Sequence, residues 1–555
     1  MPKISGALAE VLVGLRMMAV WMRWVWWAAG IGLGVAGLAG CPTSTDCADP
    51  RNAETCGKEK VELVVTVSAP VARMRAGETV ELGATLERKG EWPSQGEVTL
   101  SANELVGGVT MEPVQVAADA TEATLEFVAD AAVPQGAFPF TLVATPVDTR
   151  IPVAEAPLEA VVPGPPGTLD LSFDGDGKMT VQDQGTYHWA AGLAFDDRRR
   201  IMLAGYERPA GAIEDERPLL LRLDSHGAVD TDFAQSVASV ASDRPWTHYA
   251  DVLWTEEGIV IIAWQRAPDL STDMTLLRLN DTGSLDSGFA QDKVQRVQGI
   301  IKSEGSYYEG VFLRLLLEGS RLWAIGSKHL LLYSHDGELN GEFGDNGVLP
   351  LLPRQIYPPI VLPNDGLVWI GEPPNPEASP SAWMVSTDGK KEQLLEGYLA
   401  DLLSGEELIS GHSAKVNACA RRSATSTLCV GSFYHPLPGT LGGNGGFIVS
   451  LDANWNLDTA FGTGGFVLRF PSEDVLGNWN ADILSVADNK FMVYEFDDSP
   501  RTLARYNPDG SRDVSFGDEG KTPFDGGTLY YDPHYEQLVV LRNDSGTIHV
   551  SRYWL

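Results

Sequence analysis

One motif returns along the C-terminal two thirds of this chain at a nearly constant interval, and no other feature limits its fold as strongly. The first copy is Thr168-Leu-Asp-Leu-Ser-Phe173-Asp-Gly-Asp-Gly177. Later copies surround Phe233, Phe289, Phe343, Phe461 and Phe516, so successive phenylalanines lie 60, 56, 54, 118 and 55 residues apart. The gap of 118 is two periods, which places a decayed copy near residue 400. Two apolar segments keep the same beat, each with seven copies. One runs from Leu219-Leu-Leu-Arg-Leu223 to Val550-Ser-Arg-Tyr553, the other from Ile201-Met-Leu-Ala-Gly205 to Leu538-Val-Val-Leu541. A unit of this size cannot bury its hydrophobic face alone and must stack on its neighbours.

Each period holds about four short strands between glycine turns, the content of one propeller blade. Phe173 and its equivalents are suited to fill the space between sheets, worth roughly 1.5–3 kcal/mol each on burial. The aspartate three residues earlier, replaced by Asn340 before Phe343, can accept backbone N–H groups in the turn. Glycine follows the Leu-Leu-Arg-Leu segment at Gly227, Gly283, Gly337, Gly389 and Gly510, where a tight turn favours positive φ, whereas Trp455 stands at the fifth such position. The pattern resembles the delta-60 repeat, a bacterial family with a G-x-L-D-x-x-F-G signature followed by an apolar strand, over residues 167–555. The resemblance implies an exported repeat protein and says little about activity. Seven periods predict an all-β chain with a seven-bladed β-propeller over residues 163–555; six or eight blades, or an open solenoid, are the alternatives. The first motif precedes the strands of the first blade and no copy follows the last. Residues 168–181 are therefore expected to complete the last sheet and close the ring, removing free edges.

Residues 60–162 are of another kind. Val61-Glu-Leu-Val-Val-Thr-Val, Thr79-Val-Glu-Leu-Gly-Ala-Thr-Leu and Ala123-Thr-Leu-Glu-Phe-Val alternate apolar with polar residues. About seven such strands in about 100 residues predict a β-sandwich. The Ala76-Gly-Glu-Thr79 turn and the closing Ala156-Pro-Leu-Glu-Ala-Val-Val162 strand resemble bacterial immunoglobulin-like modules, without an antibody-type disulfide because the segment has no cysteine. Val162-Pro-Gly-Pro-Pro-Gly167 reads as a stiff boundary.

At the N-terminus, Arg16 and Arg23 precede an uncharged apolar run from Trp24 to Gly40, too short for a comfortable membrane span and built like a secretory signal over residues 1–40. Met17, Met18 and Met22 are alternative starts. The ending Leu38-Ala-Gly-Cys41 resembles the bacterial lipobox. That resemblance implies acylation of Cys41, which becomes the first residue of an exported, membrane-tethered chain; a plain anchor or an unlipidated signal is the alternative. Pro42 gives no inner-membrane retention signal, so the outer membrane is expected. Residues 41–59 read as a flexible tether. The other cysteines suggest two local disulfides, Cys47–Cys56 and Cys419–Cys429, with metal binding as the alternative.

With 75 acidic against 41 basic residues, the formal charge of −34 repels nucleic acid and anionic headgroups. No H-E-x-x-H, P-loop, paired C-x-x-C or nucleophile elbow is found, so no catalytic residue, cofactor or metal is assigned. Asp170, Asp174 and Asp176 resemble a calcium loop, but the other copies replace them and an ordinary turn suffices. One pattern points to binding. Tyr187, His188, Trp189, Trp246, His248, Tyr307, Tyr357, Trp479 and Tyr530 lie 13 to 18 residues after a repeat phenylalanine. Equivalent positions share one face of a propeller, where aromatic rings can stack on sugars or hold peptide; the alternative is packing between blades. The expected protein is a monomeric, non-enzymatic binding module of the cell envelope with a protein or glycan ligand. A scaffold lipoprotein is the alternative, and a propeller hydrolase or lyase is less favoured.

Overall fold

A computed structural model describes residues 60–90, 92, 96–196, 198–212, 215–242, 248–266, 271–286, 288–289, 294–302, 314–326, 329–350, 360–362, 366–371, 381–386, 389–395, 414–423, 425–435, 443–469, 482–495 and 501–555. These residues are almost entirely β. Two sheets form the N-terminal region. One orders Glu62–Val67, Thr79–Lys89, Glu122–Ala129 and Val109–Met111; the other orders Val71–Arg73, Ala154–Val162, Gly136–Pro146, Val98–Asn103 and Val114–Val116. Alternation sets the layers: Leu82, Ala84 and Leu86 are buried on one strand and Leu125, Phe127 and Ala129 on its neighbour, while the residues between them are mostly exposed. They share a core with Leu100, Leu142 and Leu158 of the second sheet, where the rings of Phe127 and Phe140 lie 5.4 Å apart.

Among the described residues beyond 177, seven further sheets follow one another, each a run of antiparallel strands in chain order apart from one strand of the last. The first is Thr186–Phe195, Ile201–Pro209 and Arg217–Leu223; the last is Thr528–Asp532, Gln537–Asp544 and Thr547–Trp554. Lys178–Val181 completes the last sheet, pairing Lys178 with Ser551 through to Val181 with Ile548. The segment expected to close the ring thus does so, and the sheet edge on the last strand is covered.

The motif works through contacts between repeats. Its six phenylalanines are at most 1% exposed. A Cβ on Gly227 would lie 3.1 Å from the ring of Phe173, on Gly283 3.2 Å from Phe233, and on Gly510 2.9 Å from Phe461, and each of these glycines has positive φ. The phenylalanine of one repeat therefore sits against the turn of the next. Trp455 adopts φ 63 in the corresponding turn and is nearly buried. The repeat that would have put a phenylalanine against it is the decayed one.

The arginine of the third strand adds a second lock. Arg222, Arg278 and Arg505 bond Asp230, Asp286 and Asp513 at 2.7, 2.7 and 2.8 Å, and each guanidinium lies over the repeat phenylalanine. Arg552 bonds Asp170 at 2.9 Å and covers Phe173, joining the two ends of the region. In the third sheet Leu332 and Asn340 replace both charges together, and in the fifth Ser450 replaces arginine while Arg422 from the first strand of that sheet reaches Asp458 at 3.4 Å. Either ion left alone at a buried site would be costly, so the pair is kept, lost or rebuilt as a unit.

One blade departs from the expected four strands. The first sheet has three, and helix Thr231–Ser242 follows where its fourth strand was expected. The sequence after Phe233 lacks the Gly-Asp-Gly turn and is rich in alanine and serine. Asp230 becomes a helix N-cap, its Oδ1 accepting the Phe233 N–H at 3.0 Å.

The sandwich packs on the motif-bearing end of the first and last sheets. Glu159 accepts Ser225 Oγ at 3.0 Å and also the Arg199 guanidinium and the Tyr535 hydroxyl. Arg199 Nη2 donates to the Pro70 carbonyl at 2.7 Å, and Trp554 and Tyr535 bury against Ala137 and Val161. The opposite ends of these sheets point away from the sandwich.

Candidate functional site

Cys41, Cys47, Cys56, Trp246, Tyr307, Tyr357 and Trp479 lie outside the described residues. Cys419 and Cys429 face each other on paired strands and form a disulfide.

Tyr187, His188 and Trp189 begin the first strand of the first sheet, and His248 begins that of the second. Both starts pair with the ends of second strands, at Tyr206–Pro209 and Trp264, away from the sandwich. The rings of Tyr187 and Tyr206 stack at 6.2 Å, Tyr206 meets His248 edge-on at 4.3 Å, and His248 stacks on Trp264 at 4.1 Å. Arg208 lies over Tyr187 at 4.7 Å. A continuous aromatic row thus crosses two sheets. Its histidine is interior: His248 is buried, with Glu216 3.2 Å from Nε2. His188 is also buried, with Asp183 and Glu207 each 3.7 Å away. Tyr187 is half-buried at the start of the row, and Trp189, two residues on along the same strand and paired across it with Tyr206, is 39% exposed. Tyr206 and Trp264 escaped the sequence reading because they end apolar second strands that read as core.

Tyr530 belongs to a different cluster. The first strands of successive sheets contact one another around an axis, and four of them bring Asp251, Arg314, Asp482 and Tyr530 together. Ala250-Asp251-Val252-Leu253 and Ala481-Asp482-Ile483-Leu484 are matching tetrads in two repeats, differing only in valine for isoleucine. Val252, Leu315 and Ile483, each a buried core residue, follow Asp251, Arg314 and Asp482 directly and put them at equivalent positions on their strands, whereas Tyr530 follows its core residue Leu529. Asp251 Oδ2 accepts the Leu315 N–H at 2.8 Å, and Asp482 accepts the N–H groups of Ile483, at 3.0 Å, and Leu529. Arg314 Nη1 donates to the Tyr530 hydroxyl at 3.4 Å. Gly192 makes room, because a Cβ there would overlap the Asp251 carboxylate.

Burial pushes the Asp251 carboxyl up to about 6 against the opposing pull of Arg314 and two backbone N–H groups. It likewise raises Asp482 and the Tyr530 phenol. Burial works against the charge on Arg314, but Tyr530 and Asp251 outweigh it and hold the guanidinium above its ordinary range.

Two other acidic groups are already engaged. Asp170 is tied to Arg552 and Gln537, while Asp176 turns on the Lys178 N–H. Glu257, His335 and Asp336 are close enough to share an ion, but Glu257 is bonded to His335 and Arg278, which hold its carboxyl below the usual range.

A family described as domain of unknown function DUF5122, β-propeller, matches residues 501–516, which hold the third strand and motif of the sixth sheet. No curated protein matches the sequence. Similar solved structures include the α-L-arabinanase of Penicillium chrysogenum with arabinobiose, at 9% identity over 68% of this chain and 98% of that one with a TM-score of 0.33. Prolyl oligopeptidase B of Galerina marginata is 10% identical over 73% of this chain and 54% of its own, TM-score 0.33. A conjugative transposon lipoprotein of Bacteroides eggerthii is 17% identical over 18% and 95%, TM-score 0.15. The chain is all-β, and its C-terminal region is a β-propeller.

Proposed function

We propose that the protein is an exported lipoprotein, held in the outer membrane through Cys41, in which an immunoglobulin-like sandwich carries a seven-bladed propeller that binds a glycan or protein ligand without chemically changing it. The observation that carries this reading is the aromatic row on the end away from the sandwich, with Trp189 39% exposed beside Tyr187. A tether entering through the sandwich leaves that end free. Aromatic faces bind sugars and peptides while a polar edge stays wet, and the −34 charge keeps the soluble part dispersed and turns away polyanions.

The test compares the full chain in detergent with a Tyr187→Ala, Trp189→Ala variant for retention on envelope glycans and secreted proteins. A loss of at least about tenfold, roughly 1.4 kcal/mol, with unchanged melting supports the reading. Equal retention favours the scaffold lipoprotein. The axial carboxylates favour a second reading, a hydrolase or lyase; polysaccharide turnover abolished by Asp482→Asn is its signature.

A further inference from the structure

We propose that the axial cluster of Asp251, Arg314, Asp482 and Tyr530 is a second binding site, for a small zwitterion that presents a carboxylate and an ammonium together, as a free α-amino acid does. The inference rests on the reading of the propeller as a binding protein and adds a ligand class that the aromatic row does not specify.

Arg314 is the anchor. Among the described residues its hydrogen bond is the 3.4 Å contact to Tyr530, and no carboxylate lies within ion-pairing distance of it. The repeat arginines Arg222, Arg278, Arg505 and Arg552 all hold a motif aspartate. A guanidinium offers five donors in a planar fork, and its best partner is a carboxylate held through two bonds. Arg314 keeps most of that capacity open.

The two aspartates set the rest of the ligand. Each spends lone pairs on backbone N–H groups of its own or the next sheet, which fixes the carboxylate without neutralising it. Both retain acceptor capacity near one guanidinium. A simple anion would pair Arg314 but sit beside two carboxyl groups with no donor to offer them, in a chain of charge −34. A simple cation would pair the aspartates and leave Arg314 open. A neutral sugar offers hydroxyls but no charge to either side. Only a ligand with both signs offers a counter-group to the half-buried guanidinium and to the carboxylates together, and buried Asp251 gains most from one. Tyr530 can add a hydrogen bond to the carboxylate beside Arg314.

The experiment is calorimetric titration of the full chain in detergent with glycine and L-alanine, beside acetate, methylammonium and glucose. The expected result is saturable binding of the amino acids, with acetate and methylammonium at least about tenfold weaker and glucose silent. Arg314→Gln and Asp482→Asn are each expected to weaken amino-acid binding at least about tenfold. Arg314→Lys keeps the charge, loses the fork and serves if the glutamine variant does not fold; it should bind with intermediate strength. Absence of amino-acid binding overturns the proposal, as do acetate or glucose binding as tightly as glycine and variants that bind like the parent. The Tyr187→Ala, Trp189→Ala variant separates the two readings. It should lose the envelope ligand and keep glycine, so failure at either site leaves the other standing.

Discussion

At the scale of single residues, the repeat is enforced by steric and ionic demands that differ from site to site. Gly337 has φ 81, and a Cβ there would run into the ring of Phe289. Gly337→Ala should therefore cost more than the about 1 kcal/mol typical of a strained φ alone, read as a lower urea midpoint with unchanged slope. Asp251 makes a pH-dependent prediction. Its folded pKa of about 6 lies above the unfolded value of about 3.9, so the folded state holds the proton more tightly. Its contribution to stability is present in full below about pH 4 and is lost as pH rises through 6. Asp251→Asn removes that loss and keeps an oxygen for the Leu315 N–H. The variant should gain on the parent by a few kcal/mol between pH 4 and pH 8; a constant difference would count against a buried, raised carboxyl.

Among elements, those that recur at a fixed interval are legible in the sequence and those that depend on distant partners are not. The phenylalanine spacing, the glycine turns and the closing segment were readable because each recurs locally at a fixed interval. The helix after Phe233 was not, because Asp230 can hold a turn or cap a helix with the same oxygen, and the choice falls to the alanine-rich residues beyond it. The arginine–aspartate lock was hidden because each arginine lies inside an apolar strand and its partner lies eight residues on, past the turn. Leu332 and Asn340 test that lock. Leu332→Arg alone buries an unpaired charge and should destabilise by about 3–5 kcal/mol. Adding Asn340→Asp should recover a large part, and a double-mutant cycle reads the coupling directly. The axial aspartates sit in tetrads 231 residues apart, with arginine at the equivalent site of the third sheet. Their meeting is a consequence of ring closure, which no local pattern encodes. Of the aromatic candidates, the structure joins Tyr187 and His248 in one row and moves Tyr530 to the axis.

For the whole molecule, closure and docking fix what faces where. Residues 162–167 read as a stiff boundary, yet the regions on either side are held together by Glu159, Arg199 and Tyr535, and a Cβ on Gly164 would collide with Trp554. The sandwich thus covers one end of the propeller and leaves the aromatic end free. Arg552 and Asp170 are almost fully buried where the first and last repeats meet. Arg552→Met strands Asp170 and should cost about 3–5 kcal/mol, visible as a lower melting temperature of the propeller. The aromatic end and the axial cluster both depend on a ring shut by the pairing of Lys178–Val181 with the C-terminal strand. Hydrogen exchange at the amides of that pair tests this most directly. Residues 178–181 and 548–551 should be protected together and open only with the propeller as a whole. Rapid exchange at 178–181 beside a protected C-terminal strand would contradict it, because the ring would then be open.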